Sequence, residues 1–338
     1  MGGAWLVGAL AALAETVGWD PHSADYIVGT SAGAMIGSLI AAGVPPWFMV
    51  AHSAGEVFEG LVDSSGRPVA EAHRAAGAVF RPGGPWLPIP GSPRLAWRAL
   101  RGGMAGLRGR MAALAPAGII STEPLKETVR RAVPAGWAEH PNLWIVACDY
   151  ATGERVVFGR PGSPRADLAD AVAASCAIPG FYQPVRMGGR RYVDGGVTSL
   201  ASLDLLEDLG LDLVLCANPL SMRSSRVGGW PHQRLLGALR REAARELDAS
   251  AARLRRRGTQ VVIFEPSAAD LDVMGSNFMS TRRRHQVIES ALKSITLTIG
   301  RRQAQLEGLP KGDPGRVRRP AGPPSEWSWR PGQRAVAR

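Results

Sequence analysis

Cysteine is scarce here. The chain of 338 residues has three, Cys148, Cys176 and Cys216, too few and too scattered for a disulfide framework or a cysteine-built zinc site. Each stands among apolar, strand-like or small residues, so buried free thiols are expected. Long hydrophobic runs are lacking as well: none reaches the roughly eighteen residues that a membrane-spanning helix needs. Met1 to Glu15 superficially resembles a signal peptide with an Ala-Leu-Ala end. It lacks a basic n-region and leads directly into the next strand, so it reads as part of the domain. Acidic residues are in deficit. Asp and Glu number 29 against 40 Lys and Arg, a formal charge of +11. That balance favours acidic partners such as nucleic acid, an anionic membrane surface or a negatively charged substrate, and says nothing about fold. Most of those cations are arginine, and with the abundant Ala, Gly and Pro the same balance also fits a GC-rich coding sequence.

What is present is a core. An apolar fraction of 45% excludes a wholly disordered chain, and the length suits one large α/β domain or two smaller ones. The most informative stretch is Tyr26-Ile27-Val28-Gly29-Thr30-Ser31-Ala32-Gly33-Ala34-Met35-Ile36-Gly37. Apolar, mostly β-prone residues run into Gly29, and a helical pattern of small and apolar residues follows Gly33 as far as about Ala42. This is strand, sharp turn, helix, with Ser31 at the turn. The G-x-S-x-G form is that of a nucleophile elbow, in which Gly29 and Gly33 allow a tight fold and the hydroxyl stands clear of the backbone. The helix after it aims its first N–H groups at the serine, where an oxyanion would form. A plain βα turn around a buried serine would use the same residues.

Along the chain, Leu6 to Glu15 reads as a short helix, and Pro45-Pro46 opens another to about Gly60. Residues 61–92 are loop-like and dense in Gly and Pro. Leu100, Met104, Leu107, Met111 and Leu114 recur at helical spacing beside Arg94, Arg98, Arg101 and Arg108, with Gly102-Gly103 as a break. With Trp86 and Trp97 nearby, residues 80–117 read as a lid or membrane-facing insertion; a helix packed on the core with solvated arginines is the plainer alternative. Thr122-Glu123-Pro124 starts a helix with Thr122 as N-cap. Leu143 to Cys148 is an apolar run suited to a strand buried on both faces, and Arg155 to Phe158 is its hairpin partner after a Thr152-Gly153 turn. Leu168 to Cys176 and Leu200 to Leu209 are helical, Arg191 to Val193 is a strand running into Asp194-Gly195-Gly196, and 213–217 and 261–264 are further buried strands. Helices fill 231–257 and 280–306. Strands alternating with helices predict an α/β fold of three layers, a mostly parallel central sheet with helices on both faces. The domain is expected over 1–307. Residues 308–338 form a basic Pro/Gly/Arg-rich tail, expected to be disordered.

A serine nucleophile needs a proton acceptor, normally histidine held by an acid. None of His22, His52, His73, His140, His232 and His285 stands in a strand-end turn, and an α/β-hydrolase triad would place its elbow after several strands. Asp194 ends a predicted strand, where parallel sheets collect functional groups, and Gly195 and Gly196 let another backbone come close. A carboxylate beside the hydroxyl in a partly desolvated cleft becomes a stronger base. A simple strand-ending Asp-Gly-Gly turn reads the same.

Together, Gly29-Thr30-Ser31-Ala32-Gly33 near the N-terminus and Asp194-Gly195-Gly196 far downstream resemble the patatin-like phospholipase family. Ala174-Ser175-Cys176-Ala177-Ile178-Pro179 with Phe181, Pro184 and Val185 is similar to the family's segment ahead of D-G-G, and Thr122-Glu123-Pro124-Leu125 and Asn218-Pro219 have counterparts too. The resemblance covers roughly Gly2 to Leu306. It implies a Ser-Asp dyad hydrolase without metal or cofactor, in which Ser31 attacks an ester carbonyl, Asp194 takes its proton and water cleaves the acyl-enzyme. Its substrates would be acyl lipids, phospholipids, lysophospholipids or simple esters.

One departure stands out. The family's first strand leads into a glycine-rich loop, G-G-G-x-x-G in form, that supplies oxyanion N–H groups. Gly8-Ala9-Leu10 matches the helix after that loop, so Gly2 and Gly3, with Ala32 on the other side, are the oxyanion candidates. Two expectations follow: the protein begins roughly 10–20 residues upstream of Met1, about one strand and a loop, or the chain is a catalytically impaired relative that binds anionic membranes or a partner. The first is favoured because both dyad residues keep their glycines. A cytoplasmic protein with peripheral membrane contact is expected. Nucleic acid is a distant third partner, because Trp327 and Trp329 among the tail's arginines make no known binding module. Acyl chain, headgroup and oligomeric state are not written in the sequence.

Overall fold

The computed structural model describes residues 1–54, 81–83, 91–100, 111–221, 231–275 and 283–310. The apolar run at 143–148 becomes the hub. Strand β2 (Leu143–Asp149) is buried at every position, as a strand covered on both faces must be. Strand β1 (Ile27–Thr30) pairs with it in parallel, Ile27 opposite Leu143 and Thr30 opposite Val146. Strand β3 (Arg155–Phe158) pairs antiparallel as the predicted hairpin partner, over residues 145–148 of β2. Strand β5 (Arg190–Asp194) is also antiparallel to β2, with Asp149 opposite Tyr192 and Ala147 opposite Asp194, and β4 (Val185–Met187) pairs antiparallel outside it. Strands β6 (Leu213–Ala217) and β7 (Gln260–Phe264) form a separate parallel pair.

The α/β class therefore holds, but the sheet is mixed: the parallel pairings are β1–β2 and β6–β7, and the other three are antiparallel. The reason is in the connections. Arg155–Phe158 returns through a tight turn, and Gly188 and Gly189, both at positive φ, reverse the chain between β4 and β5; such short links can join only antiparallel strands.

This mixture places the site. β3 occupies one edge of β2 over 145–148, so β1 and β5 share the other, β1 as far as Val146 and β5 from Ala147. They run in opposite directions, and their C-terminal ends abut.

Helices surround the strands. Helix α1 (Gly2–Val17) is longer than predicted at both ends and stops at Gly18, which takes φ 71°. It packs with β1, α2 (Ala32–Ala41), α3 (Pro46–Ala54) and α9 (Arg284–Gly300) in one apolar cluster around Trp5, Leu13 and Ile288. The buried Trp5 indole donates to Asp270 Oδ2 at 3.3 Å. Asp270 also accepts from Ser294 Oγ, which ties α1, α8 (Ala268–Met274) and α9 together. A second cluster gathers α5 (Glu123–Ala132) and α6 (Leu168–Ser175) on β2. A third holds the long α7 (Pro231–Arg256) against β6 and β7. Helix α10 (Gln303–Leu306) closes the described chain.

Several local expectations change. Thr122 does not cap α5 with its side chain; Ser121 Oγ accepts from the Glu123 N–H at 3.1 Å instead. Of the helix predicted over 200–209, a 3₁₀ turn at Leu203–Leu206 forms. Within 80–117, α4 (Pro93–Leu100) is helical, while Trp86, Arg101, Arg108 and the Gly102-Gly103 break lie outside the described residues, as do 61–80 and the tail from 311. All three cysteines are free and buried, as expected. No described helix is long and apolar enough to cross a membrane.

Candidate active site

Where β1 ends, the chain turns so sharply that Ser31 takes φ 53° and ψ −121°, a conformation that costs a non-glycine residue of order 1–3 kcal/mol. The strain is sustained by what lies around it. The Ser31 N–H donates to Ser175 Oγ at 2.9 Å, and that hydroxyl donates onward to the Val146 carbonyl at 2.6 Å. The Cys176 thiol reaches the Ser31 carbonyl at 3.2 Å, and the same carbonyl accepts from Ala34 and Met35 in the first turn of α2. The resemblance of Ala174–Pro179 to a family segment assigns its residues no task. In the fold, Ser175 and Cys176 clamp the turn.

Asp194 arrives from the opposite direction. It is 6% exposed, its N–H donates to the Ala177 carbonyl at 3.0 Å, and its Oδ1 accepts from the Gly196 N–H at 2.7 Å. Its carboxylate shares the cavity with Ser31, whose side chain pulls its pKa down. Burial pushes its pKa up from 3.8 to about 6, against the Ser31 and Gly196 hydrogen bonds, which pull it down. A buried carboxylate offered so few donors stays basic. Burial first, and then the Asp194 charge, also drives the Cys176 thiol well above its ordinary range, so it is inert as a nucleophile at neutral pH.

The four motif glycines are not alike. A Cβ on Gly29 would stand 2.5 Å from the Gly33 carbonyl oxygen and 2.6 Å from Ala34 N, and one on Gly195 would stand 2.4 Å from the Val146 carbonyl oxygen. These two let α2 and the Asp194 turn close onto the strands. At Gly33 a Cβ would meet nothing within 4 Å; it lines a cavity, so its smallness leaves room rather than permitting the turn. At Gly196 a Cβ would lie 3.0 Å from Asp194 Oδ1.

Ser31, Asp194, Gly2, Gly3 and Ala32 all line one cavity of about 1280 Å³. Gly2 and Gly3 begin α1, and a Cβ on Gly3 would sit 3.7 Å from Ala32 Cβ. The structure therefore brings the first turns of α1 and α2 side by side near Ser31, and first-turn N–H groups have no acceptor within their own helix. His285 is exposed and pairs with Glu289. His22 and His140 bond to backbone carbonyls of Ile40 and Ala24. Among the described residues, no group of three His, Cys, Asp or Glu side chains could hold a metal ion.

The family model of patatin-like phospholipase matches residues 1–206, a span that contains α1, the Ser31 turn, the clamp at Ser175 and Cys176, and Asp194. That match covers more than half of the 338 residues, and the chain belongs to the patatin-like phospholipase family.

Proposed function

We propose that this protein is a serine hydrolase of carboxylic esters in acyl lipids. The observation that carries the reading is the meeting of Ser31 with a buried Asp194 on one cavity, where burial raises the carboxylate's pKa to about 6 against the pull of Ser31 and Gly196. In this scheme Ser31 Oγ attacks the acyl carbonyl as its proton moves to the Asp194 carboxylate. The negative charge passes to the carbonyl oxygen, facing the N–H groups of Ala32 and of Gly2 or Gly3. Collapse expels the alcohol, which takes the proton from Asp194 and leaves the acyl group on Ser31. Water, losing its proton to Asp194, attacks the acyl-enzyme; the acid departs and Ser31 regains its proton. A carboxylate with a pKa near 6 is ionised at neutral pH yet basic enough to accept a proton in flight. A fluorophosphonate probe is expected to label Ser31 in the protein and nothing in Ser31→Ala. Unlabelled protein, shown to be folded, would sink the reading.

Exposed apolar side chains on α4 and at the cavity's Met111 support approach to a lipid surface. Trp97 is 54% and Leu100 76% exposed on α4, and Met111, which lines the cavity, is 42% exposed. Arg94 is exposed on the same helix. Exposed apolar side chains with a cation on the same helix suit the interface of an anionic bilayer. Replacing Trp97 and Leu100 by serine is expected to weaken sedimentation with phosphatidylglycerol vesicles by about tenfold or more, each large side chain contributing about 1.5–3 kcal/mol when buried. Unchanged sedimentation would remove these side chains from the account. This face is also what a non-catalytic membrane-binding relative would present; labelling of Ser31 separates the two.

A further inference from the structure

Helix α5 carries the cations Lys126, Arg130 and Arg131 and the carboxylates Glu123 and Glu127. Lys126 pairs with Asp170 of α6, Arg130 with Glu123, and Glu127 with Arg81. Arg131 makes no ion pair among the described residues. It is half-buried and lines the cavity at Ser31, as does Thr128 one turn before it. The helices set where these two stand. Helix α6 ends at Ser175, whose hydroxyl accepts from the Ser31 N–H, and begins at Leu168, whose N–H donates at 2.8 Å to the Gly136 carbonyl just past α5. Helix α5 therefore runs against α6 and away from Ser31, alongside α2, which starts there. The Lys126–Asp170 pair fixes the level. From it Ser175 lies five residues toward the site and Arg131 five residues away, a span of roughly 15 Å along the axes. Helical side chains lean back toward the helix start, so Arg131 reaches toward Ser31 and Thr128 stands between them. Met35 and Leu39 of α2 are apolar walls of the same cavity.

We propose that Arg131 and Thr128 form a subsite for the alcohol half of the ester, selecting a short alcohol that carries a phosphate, glycerol phosphate in type, over a neutral one. That the occupant is a substrate rests on the hydrolase reading; the anion site itself does not. A guanidinium drawn partly out of water beside apolar walls has lost hydration that a bound anion restores. Its planar fork meets two phosphate oxygens at once through charge-assisted hydrogen bonds. Thr128 Oγ donates to the Pro124 carbonyl at 3.0 Å, so its lone pairs are left for a hydroxyl between the ester and the phosphate. The anion belongs on the alcohol side because the acyl carbon sits at Ser31 and an ordinary acyl chain ends in a methyl group. Distance works in the same direction: a phosphate at Arg131 is held away from the Asp194 carboxylate, which would repel it closer in.

The test uses two ligands that cannot be cleaved, the octyl ethers of glycerol phosphate and of glycerol, titrated calorimetrically into the full chain. The phosphate ether is expected to bind about tenfold or more tighter, and Arg131→Gln to remove most of that preference. Arg130→Gln is the control. It removes an equal charge at the adjacent position, which does not line the cavity, and is expected to keep the preference. Should Arg131→Gln fail to fold, Arg131→Lys carries the test: it keeps the charge but not the fork, and the preference is expected to fall about threefold or more. Equal affinity of the two ethers for the wild type overturns the proposal. So does a preference that Arg131→Gln, or in its place Arg131→Lys, retains in full, or one that Arg130→Gln loses to the same extent. Fluorophosphonate labelling separates this outcome from the fate of the hydrolase reading. Labelled protein with equal ether affinities keeps that reading and loses this subsite, whereas an Arg131-dependent preference in unlabelled protein keeps the anion site and loses the hydrolase.

Discussion

Asp194→Asn is expected to lower kcat for a short-chain acyl ester by about 10³–10⁴, the upper part of the range for a positioned general base. Stability is expected to move the other way. Asparagine can still accept from Ser31 and from the Gly196 N–H, so the geometry survives while the proton has nowhere to go. In the wild type, burial raises the Asp194 pKa from 3.8 to about 6. The folded protein therefore holds this proton more tightly than the unfolded chain, and stability falls as pH rises from about 4 to about 6. A shift of about two units corresponds to about 3 kcal/mol at most, and Asn escapes that cost. The variant should thus match the wild type near pH 4 and unfold at higher denaturant above pH 6.5. Wild-type kcat/KM should rise with pH through about 6 to a plateau, because the base works ionised. Activity that survives in Asp194→Asn would place the base elsewhere.

Gly29→Ala is expected to destabilise the fold by about 3 kcal/mol, the upper end for forced overpacking. The new methyl group would lie 2.5–2.6 Å from backbone atoms of Gly33 and Ala34. Backbone at the start of a helix cannot swing aside as a side chain can, so α2 must lift from β1 and carry Ser31 out of reach of Asp194. Gly33→Ala is the contrast. With nothing within 4 Å of its Cβ and a place in the first turn of α2, it should leave stability within about 0.5 kcal/mol of wild type. Its effect should fall on KM for bulky acyl esters, since the methyl group enters the cavity. Chemical denaturation of both variants, read with KM for Gly33→Ala, checks the pair. Equal loss of stability would mean that the two glycines serve the same turn after all.

The sequence by itself determined a good deal. The run Ile27–Gly37 specified strand, turn and helix because apolar β-formers, then glycine, then small helix formers leave the backbone few choices. The continuous apolar run at 143–148 specified a strand buried on both faces, and the pairing of G-x-S-x-G with D-G-G pointed to a family that the match over 1–206 bears out. These are short-range signals, and each is written within a few residues.

Tertiary structure alone decided the rest. The order and direction of the strands come from connections and edge competition on β2. The sheet proved mixed rather than mostly parallel, and Asp194 reaches Ser31 because β5 runs against β1 along one edge, not because parallel strands end together. The work of Ser175 and Cys176 was likewise invisible, since their partners are the backbone of Ser31 and Val146, distant in sequence. So was the difference between Gly29 and Gly33, identical letters in one motif. One faces a neighbouring backbone and the other faces the cavity, and only the packed chain distinguishes them.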